Sequence, residues 1–159
     1  MTISNEHPEI LARLPLDSAL KDSVKTAVTA CRNASEMHVT SDAGTDLCVA
    51  MANTVTVGVW GWTDRPGTLA HWPGGLVVSF PHSSSTNGVL VFKSGDINLT
   101  FKRYFESEVR FQITDDFVTH IDGDGTDARL MRHYLDGFDD PLAYATSHVG
   151  WGLNSHARY

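Results

Sequence analysis

The sequence predicts an α+β domain: an N-terminal helix, a mostly antiparallel sheet or partly closed barrel of about seven strands, then C-terminal helices. Three observations carry this. Apolar residues fall at three- and four-residue steps between Asp17 and Met37, then switch to strict alternation. Short apolar runs separated by turn residues follow one another, which favours antiparallel pairing over βαβ units with their long crossovers. A second helical period returns only near Asp127.

In chain order, residues 1–16 carry Pro8 and Pro15 and read as an extended N-terminal arm, leaving 17–159 as a single domain. Leu20, Val24, Ala27, Val28 and Cys31 line one helix face, and Asp17 or Ser18 can cap its first turn. His38–Ser41 and Asp46–Met51 read as a hairpin around Asp42-Ala43-Gly44, and Val55, Val57 and Val59 continue the alternation. Thr63–Gly75, with Pro66, Gly67 and Pro73, is a long irregular loop, a kind of segment that often carries function. Strands are expected at Leu76–Phe80, Val89–Lys93, Ile97–Phe101, Glu108–Thr114 and Phe117–Ile121, with a tight turn at Asp115-Asp116. Leu130, Met131, Tyr134 and Leu135 form the apolar side of a helix over Asp127–Phe138, and Pro141 opens a further short helix.

With 12 Lys and Arg against 19 Asp and Glu, the net charge is -7, which argues against a nucleic-acid surface. No apolar run is long enough to span a bilayer, and Met1–Leu16 lacks the pattern of a signal peptide, so the reading is cytoplasmic with no membrane partner. Cys31 and Cys48 read as buried small apolar residues rather than a disulfide.

Eight histidines are present, without the spacing of a local metal motif. His7, His38, His82, His120 and His133 read as surface or structural residues. His71 closes the long loop in His71-Trp72-Pro73-Gly74-Gly75, which leaves it open between an active-site role and a loop-stabilising hydrogen bond. His148 stands in Ser147-His148-Val149-Gly150-Trp151-Gly152, where flanking glycines allow close backbone approach; a metal or substrate role and a strand-end structural role both remain open. Asp122-Gly123-Asp124-Gly125 begins like a calcium loop but lacks the closing glutamate, and reads as a turn.

Taken together, Val39–Leu47, His71-Trp72-Pro73-Gly74-Gly75 through Pro81, and Ser147–Leu153 resemble the 2,5-dihydroxypyridine 5,6-dioxygenases, ring-opening iron enzymes similar in fold to the thermophilic aminopeptidases. The resemblance runs from about Leu14 to Tyr159. It implies a dihydroxypyridine-type aromatic substrate, dioxygen, and a single Fe(II) held by two histidines and one carboxylate. His148 matches one iron ligand, and His71 matches a group that transfers protons to or from the substrate or supports the metal site. Where the aminopeptidases carry ligand glutamates, this chain has Gly75 and the Ser147-His148 pair, which sets it apart from a two-metal hydrolase. The resemblance places the two remaining ligands, a His-x-Asp pair, beyond the sequence in hand. The expectation is thus a central segment of such an enzyme, with iron weak or absent in the isolated chain and activity requiring a complementing chain. A non-catalytic or oligomerising module of the same fold, possible as a homo-oligomer, and an aminopeptidase-like hydrolase are the alternatives.

Overall fold

The computed structural model describes residues 2–3 and 7–157. The order of elements is β1 (Thr2–Ile3), α1 (Pro8–Arg13), α2 (Ser18–Asn33), β2 (Glu36–Thr40), β3 (Asp46–Ala50), β4 (Val55–Val59), β5 (His71–Trp72) and β6 (Leu76–Phe80). Then come β7 (Thr86–Phe92), β8 (Ile97–Asn98), β9 (Arg103–Tyr104), β10 (Val109–Thr114), β11 (Phe117–Asp122), α3 (Thr126–Asp136), a 3-10 turn at Pro141–Tyr144 and β12 (Val149–Gly152). The α+β class holds. Pairing is mostly antiparallel, as expected; among the described residues the strands divide chiefly between a five-stranded and a three-stranded sheet, without a closed barrel. No helix among the described residues is long and apolar enough to cross a membrane.

Contacts gather into two compact units. The first comprises 1–34, 52–80 and 148–159; the second comprises 35–51 and 81–147.

In the first unit, residues 8–13 are helical where an extended arm was expected; residues 1 and 4–6 of that arm lie outside the described residues. Pro8 stands in the first turn, where its fixed φ suits a helix, and the His7 ring accepts a hydrogen bond from the Glu9 N–H. Leu14, buried behind this turn, receives on its carbonyl the indole N–H of buried Trp72. Asp17 caps α2 by accepting from the Ala19 N–H, and Leu20, Val24, Val28 and Cys31 are its buried residues. The helix stops at Asn33, before the expected Met37, because Glu36 and Met37 are drawn into the β2–β3 ladder.

Helix α2 packs on a three-stranded antiparallel sheet ordered β12-β6-β4. Gly58 makes the fit possible: a Cβ there would stand 2.4 Å from Val24 Cγ1 and 2.9 Å from Val28 Cγ2. Beside it, the hydroxyls of Thr56 and Ser79 bond each other at 2.8 Å, and Arg32 donates to the Thr56 carbonyl at 2.9 Å. Both hydroxyls are fully buried, so pairing them removes the cost of leaving either unsatisfied.

The second unit is built on an antiparallel sheet ordered β11-β10-β7-β3-β2. Leu47, Val49, Val109, Phe111, Ile113 and Ile121 form its buried side, and Phe92 stacks on Phe105 at 4.9 Å. Cys48 is exposed, contrary to expectation, because Leu47 and Val49 already point to the core and strand alternation turns Cys48 outward. Asp115 and Asp116 have φ of 48° and 72°, the two left-handed residues of a type I′ turn joining β10 to β11. The Asp116 carboxylate accepts from the backbone N–H groups of Ser84, Ser85 and Thr86, and its carbonyl accepts from the N–H and hydroxyl of Thr146. This clamp starts β7 at Thr86, three residues earlier than expected. The strand expected over Ile97–Phe101 ends at Asn98, whose side chain accepts from the Phe101 N–H and turns the chain back into β9. On α3 the expected apolar side is only partly covered: Leu130, Met131 and Leu135 are half-buried and Tyr134 is exposed.

Candidate functional site

Cross-strand register places His148. Strand β12 pairs with β6 as Val149↔Ser79, Gly150↔Val78, Trp151↔Val77 and Gly152↔Leu76. Strand β6 pairs with β4 as Phe80↔Val55, Val78↔Val57 and Leu76↔Val59. Because side chains alternate, Thr56, Gly58, Val77 and Ser79 share the face turned to α2. Val55, Val57, Val59, Leu76, Val78 and Phe80 share the opposite, outer face. Gly150 stands close above β6, where a Cβ would meet the Val77 carbonyl oxygen at 2.4 Å. One residue before β12, the exposed His148 ring lies 5.8 Å from that of Phe80, tilted by 54°. His148 is thus presented at the Val55–Phe80 end of the sheet.

His71 occupies the other end. It lines a cleft of about 220 Å³ with Gly58, Val59, Trp60, Trp62, Arg65 and Leu69, where β4 passes into the long loop. Lys21 stands 5.4 Å from the centre of the Trp60 ring and 5.8 Å from that of Trp62, and bonds Asp64 at 2.9 Å. This bond, the first of several causes, holds the exposed Asp64 carboxyl below its ordinary pKa of 3.8. The Trp60 indole N–H is buried without a hydrogen-bond partner. The loop re-enters the sheet through a close crossing. Gly75, at φ 103°, leaves no room for a Cβ, which would lie 2.6 Å from Asn154 Cβ. Its carbonyl accepts from the Leu153 N–H at 2.6 Å, and its own N–H donates to Val59 at 2.7 Å. The Leu76 and Phe80 ends of β6 are about 13 Å apart at ~3.3 Å per residue. The two sequence-flagged histidines therefore belong to opposite ends of one strand.

His38 and His120 have local partners. His38 bonds Asp46 at 2.7 Å and His120 bonds Asp122 at 2.9 Å, each on an exposed strand. Two carboxylates that the sequence reading passed over are structural anchors: Asp116, already described, and Asp127. Asp127 is 3% exposed in the first turn of α3. Burial works against its charged form, but bonds from the Glu106 and Ser107 N–H groups and the Ser107 hydroxyl, with the nearby Arg103 charge, outweigh it. The pKa is accordingly lowered from its ordinary 3.8. A first-turn aspartate is the signal that could have drawn notice to it. Phe80 beside His148 was also missed, since only the β6–β12 register joins them.

Among the described residues, no three His, Cys, Asp or Glu side chains converge so as to hold a metal ion. The described residues alone do not make a metal site. His148 is exposed, with its ring beside that of Phe80.

AmpT from Thermus thermophilus superimposes with a TM-score of 0.64 at 21% identity, covering 84% of this chain and 33% of AmpT, which shows a shared fold. The chain itself belongs to the 2,5-dihydroxypyridine 5,6-dioxygenase (NicX) family, whose profile matches residues 1–159. The 2,5-dihydroxypyridine 5,6-dioxygenase of Pseudomonas putida KT2440 is 38% identical over 154 residues, 97% of this chain and 44% of the relative. The solved structure of the dioxygenase from that organism superimposes with a TM-score of 0.92 at 37% identity, covering 98% of this chain and 45% of that one. The chain spans less than half the length of these relatives.

Proposed function

We propose that this chain forms part of the active centre of a ring-cleaving dioxygenase acting on a dihydroxypyridine-type aromatic and dioxygen. The carrying observation is the family match along the chain, joined to a histidine held out on the sheet face where a ligand would be needed. In this reading His148 contributes one ligand to a non-haem Fe(II), and the remaining ligands come from polypeptide outside this chain. When bound, the iron would supply the one-electron chemistry that lets a closed-shell ring react with triplet dioxygen.

His71 is proposed as the group that receives the ring and adjusts its protonation. Its cleft is large enough for one six-membered ring, since an apolar cavity of about 150 Å³ holds benzene. His71 lines a cleft at the Leu76 end of β6 and His148 stands at its Phe80 end, so in this reading the two act at different places. The His71 role is therefore substrate capture and proton balance rather than contact at the metal. Unchanged kcat and KM in a His71→Asn enzyme would remove it from the proposal.

The decisive experiment replaces the matching segment of the Pseudomonas putida enzyme with this chain. The chimera, loaded anaerobically with Fe(II), is expected to consume oxygen with 2,5-dihydroxypyridine. His148→Ala is expected to lower its iron content and abolish uptake. A folded, iron-loaded chimera without uptake, or one whose His148→Ala form keeps iron and activity, would reject the assignment.

One observation favours a second reading, a non-catalytic or oligomerising module: the described residues converge on no metal site. A folded oligomer of the isolated chain, together with an inactive chimera, would support it. The likeness to AmpT shows the fold alone and does not support peptide hydrolysis.

A further inference from the structure

The outer face of the β12-β6-β4 sheet is apolar and, apart from the buried Val78 at its centre, exposed. Val55 is 62% exposed, Val57 41%, Leu76 42% and Phe80 44%, while the opposite face is closed by α2. Beside β6 this face carries only the glycines Gly150 and Gly152 of β12, which bring no side chain to it. The sequence of β6, Leu76-Val77-Val78-Ser79-Phe80, is a nearly continuous apolar run. Such a run suits a strand covered on both faces; a strand with one wet face shows alternation. Strand β4 likewise presents Val55, Val57 and Val59 outward. Contiguous exposed apolar side chains of this kind mark an interaction surface.

We infer that this face is the docking surface for polypeptide of the same enzyme lying outside this chain, the part that carries the other metal ligands. The inference rests on the proposed role of His148. Three observations select this occupant over a second copy or a substrate. The face ends at His148, so a segment delivering ligands beside that ring must come down onto it. The chain spans 44% of its Pseudomonas putida relative, so more than half of a relative's polypeptide is available as cover. The surface runs the length of three strands, longer than a single aromatic ring.

The test compares the isolated chain with the chimera described above. Val57→Lys is expected to leave the thermal midpoint of the isolated chain within about 2 °C, because the side chain already faces solvent. In the chimera it is expected to lower the midpoint by more than about 5 °C, because a charge is then buried in an apolar contact. Should that chimera not fold, the milder Val55→Thr/Val57→Thr pair applies. Hydroxyl-radical footprinting of the unsubstituted proteins provides an independent reading, with Leu76 and Phe80 labelled in the isolated chain and protected in the chimera. Equal midpoint shifts in both proteins, or unprotected Leu76 and Phe80 in a folded chimera, would overturn the inference. So would an isolated chain that dimerises and is made monomeric by Val57→Lys, which identifies a second copy as the occupant. His148→Ala separates the two ideas: loss of iron without loss of protection leaves docking intact, and protection lost with iron retained does the reverse.

Discussion

At the scale of single residues, the chain separates groups that hold the fold from groups left for chemistry. Asp127 belongs to the first kind. Its carboxylate is buried, accepts three hydrogen bonds and faces Arg103 at 3.2 Å. Its folded pKa lies below the unfolded value, so its contribution is fully present above about pH 4 and is lost as pH falls through the folded pKa. Urea midpoints measured from pH 6 downward are expected to fall below about pH 4 in the parent. In Asp127→Asn the fall is expected to be shallower, on a stability already reduced by roughly 1–3 kcal/mol for the unmade bonds. A pH profile identical to the parent's would show that Asp127 does not carry the acid sensitivity. His71 and His148 are the residues proposed for the second kind, and both were legible as candidates from glycine- and proline-rich surroundings. Their separation was not legible, because it depends on which strands pair and in what register. Phe80 went unread for the same reason.

At the scale of elements, legibility followed locality. The α2 face was visible in a 3.6-residue period, β4 and β6 in apolar runs, and the β10–β11 turn in two adjacent aspartates, all local signals. Strands β5 and β9 and the early start of β7 were not visible. Each is only as long as its partner permits, and those partners, β1, β8 and the Asp116 clamp, bring no periodicity to the segment. The helix-to-sheet contact at Gly58 gives an element-scale prediction. Gly58→Ala places a methyl 2.4 Å from Val24 Cγ1 and is expected to cost about 1–3 kcal/mol. In the double variant with Val24→Ala the two costs are expected to be less than additive, since the smaller helix side chain vacates the space. Strict additivity in chemical denaturation would show that α2 accommodates the methyl by another route.

At the scale of the whole molecule, the α+β class was readable because helical and alternating periods occupy separate stretches of sequence. The division of strands between two sheets was not readable, because no composition or periodicity marks which of two antiparallel neighbours a strand chooses. The same limit applied to the site: one histidine could be nominated, but whether ligands converge on it is a property of the assembled chain. Anaerobic calorimetric titration of the isolated chain with Fe(II) is expected to show only weak binding, because no three ligand side chains converge among the described residues. Tight, stoichiometric uptake would place a ligand cluster outside the described residues.

The Asp116 clamp sets the mutational tolerance of its neighbourhood. One residue supplies a left-handed backbone for the turn, acceptors for three consecutive N–H groups, and a carbonyl for Thr146. No exchange preserves all of these. Asparagine keeps the turn but presents a donor where an acceptor was needed. Glycine keeps the turn and the backbone carbonyl but loses the three side-chain acceptors, and glutamate carries the charge too far and fits the left-handed backbone poorly. Of the residues it clamps, only Ser85 is held through its amide alone: Ser84 has a left-handed backbone at φ 62° and the Thr86 side chain is buried, so both are constrained at the side chain as well.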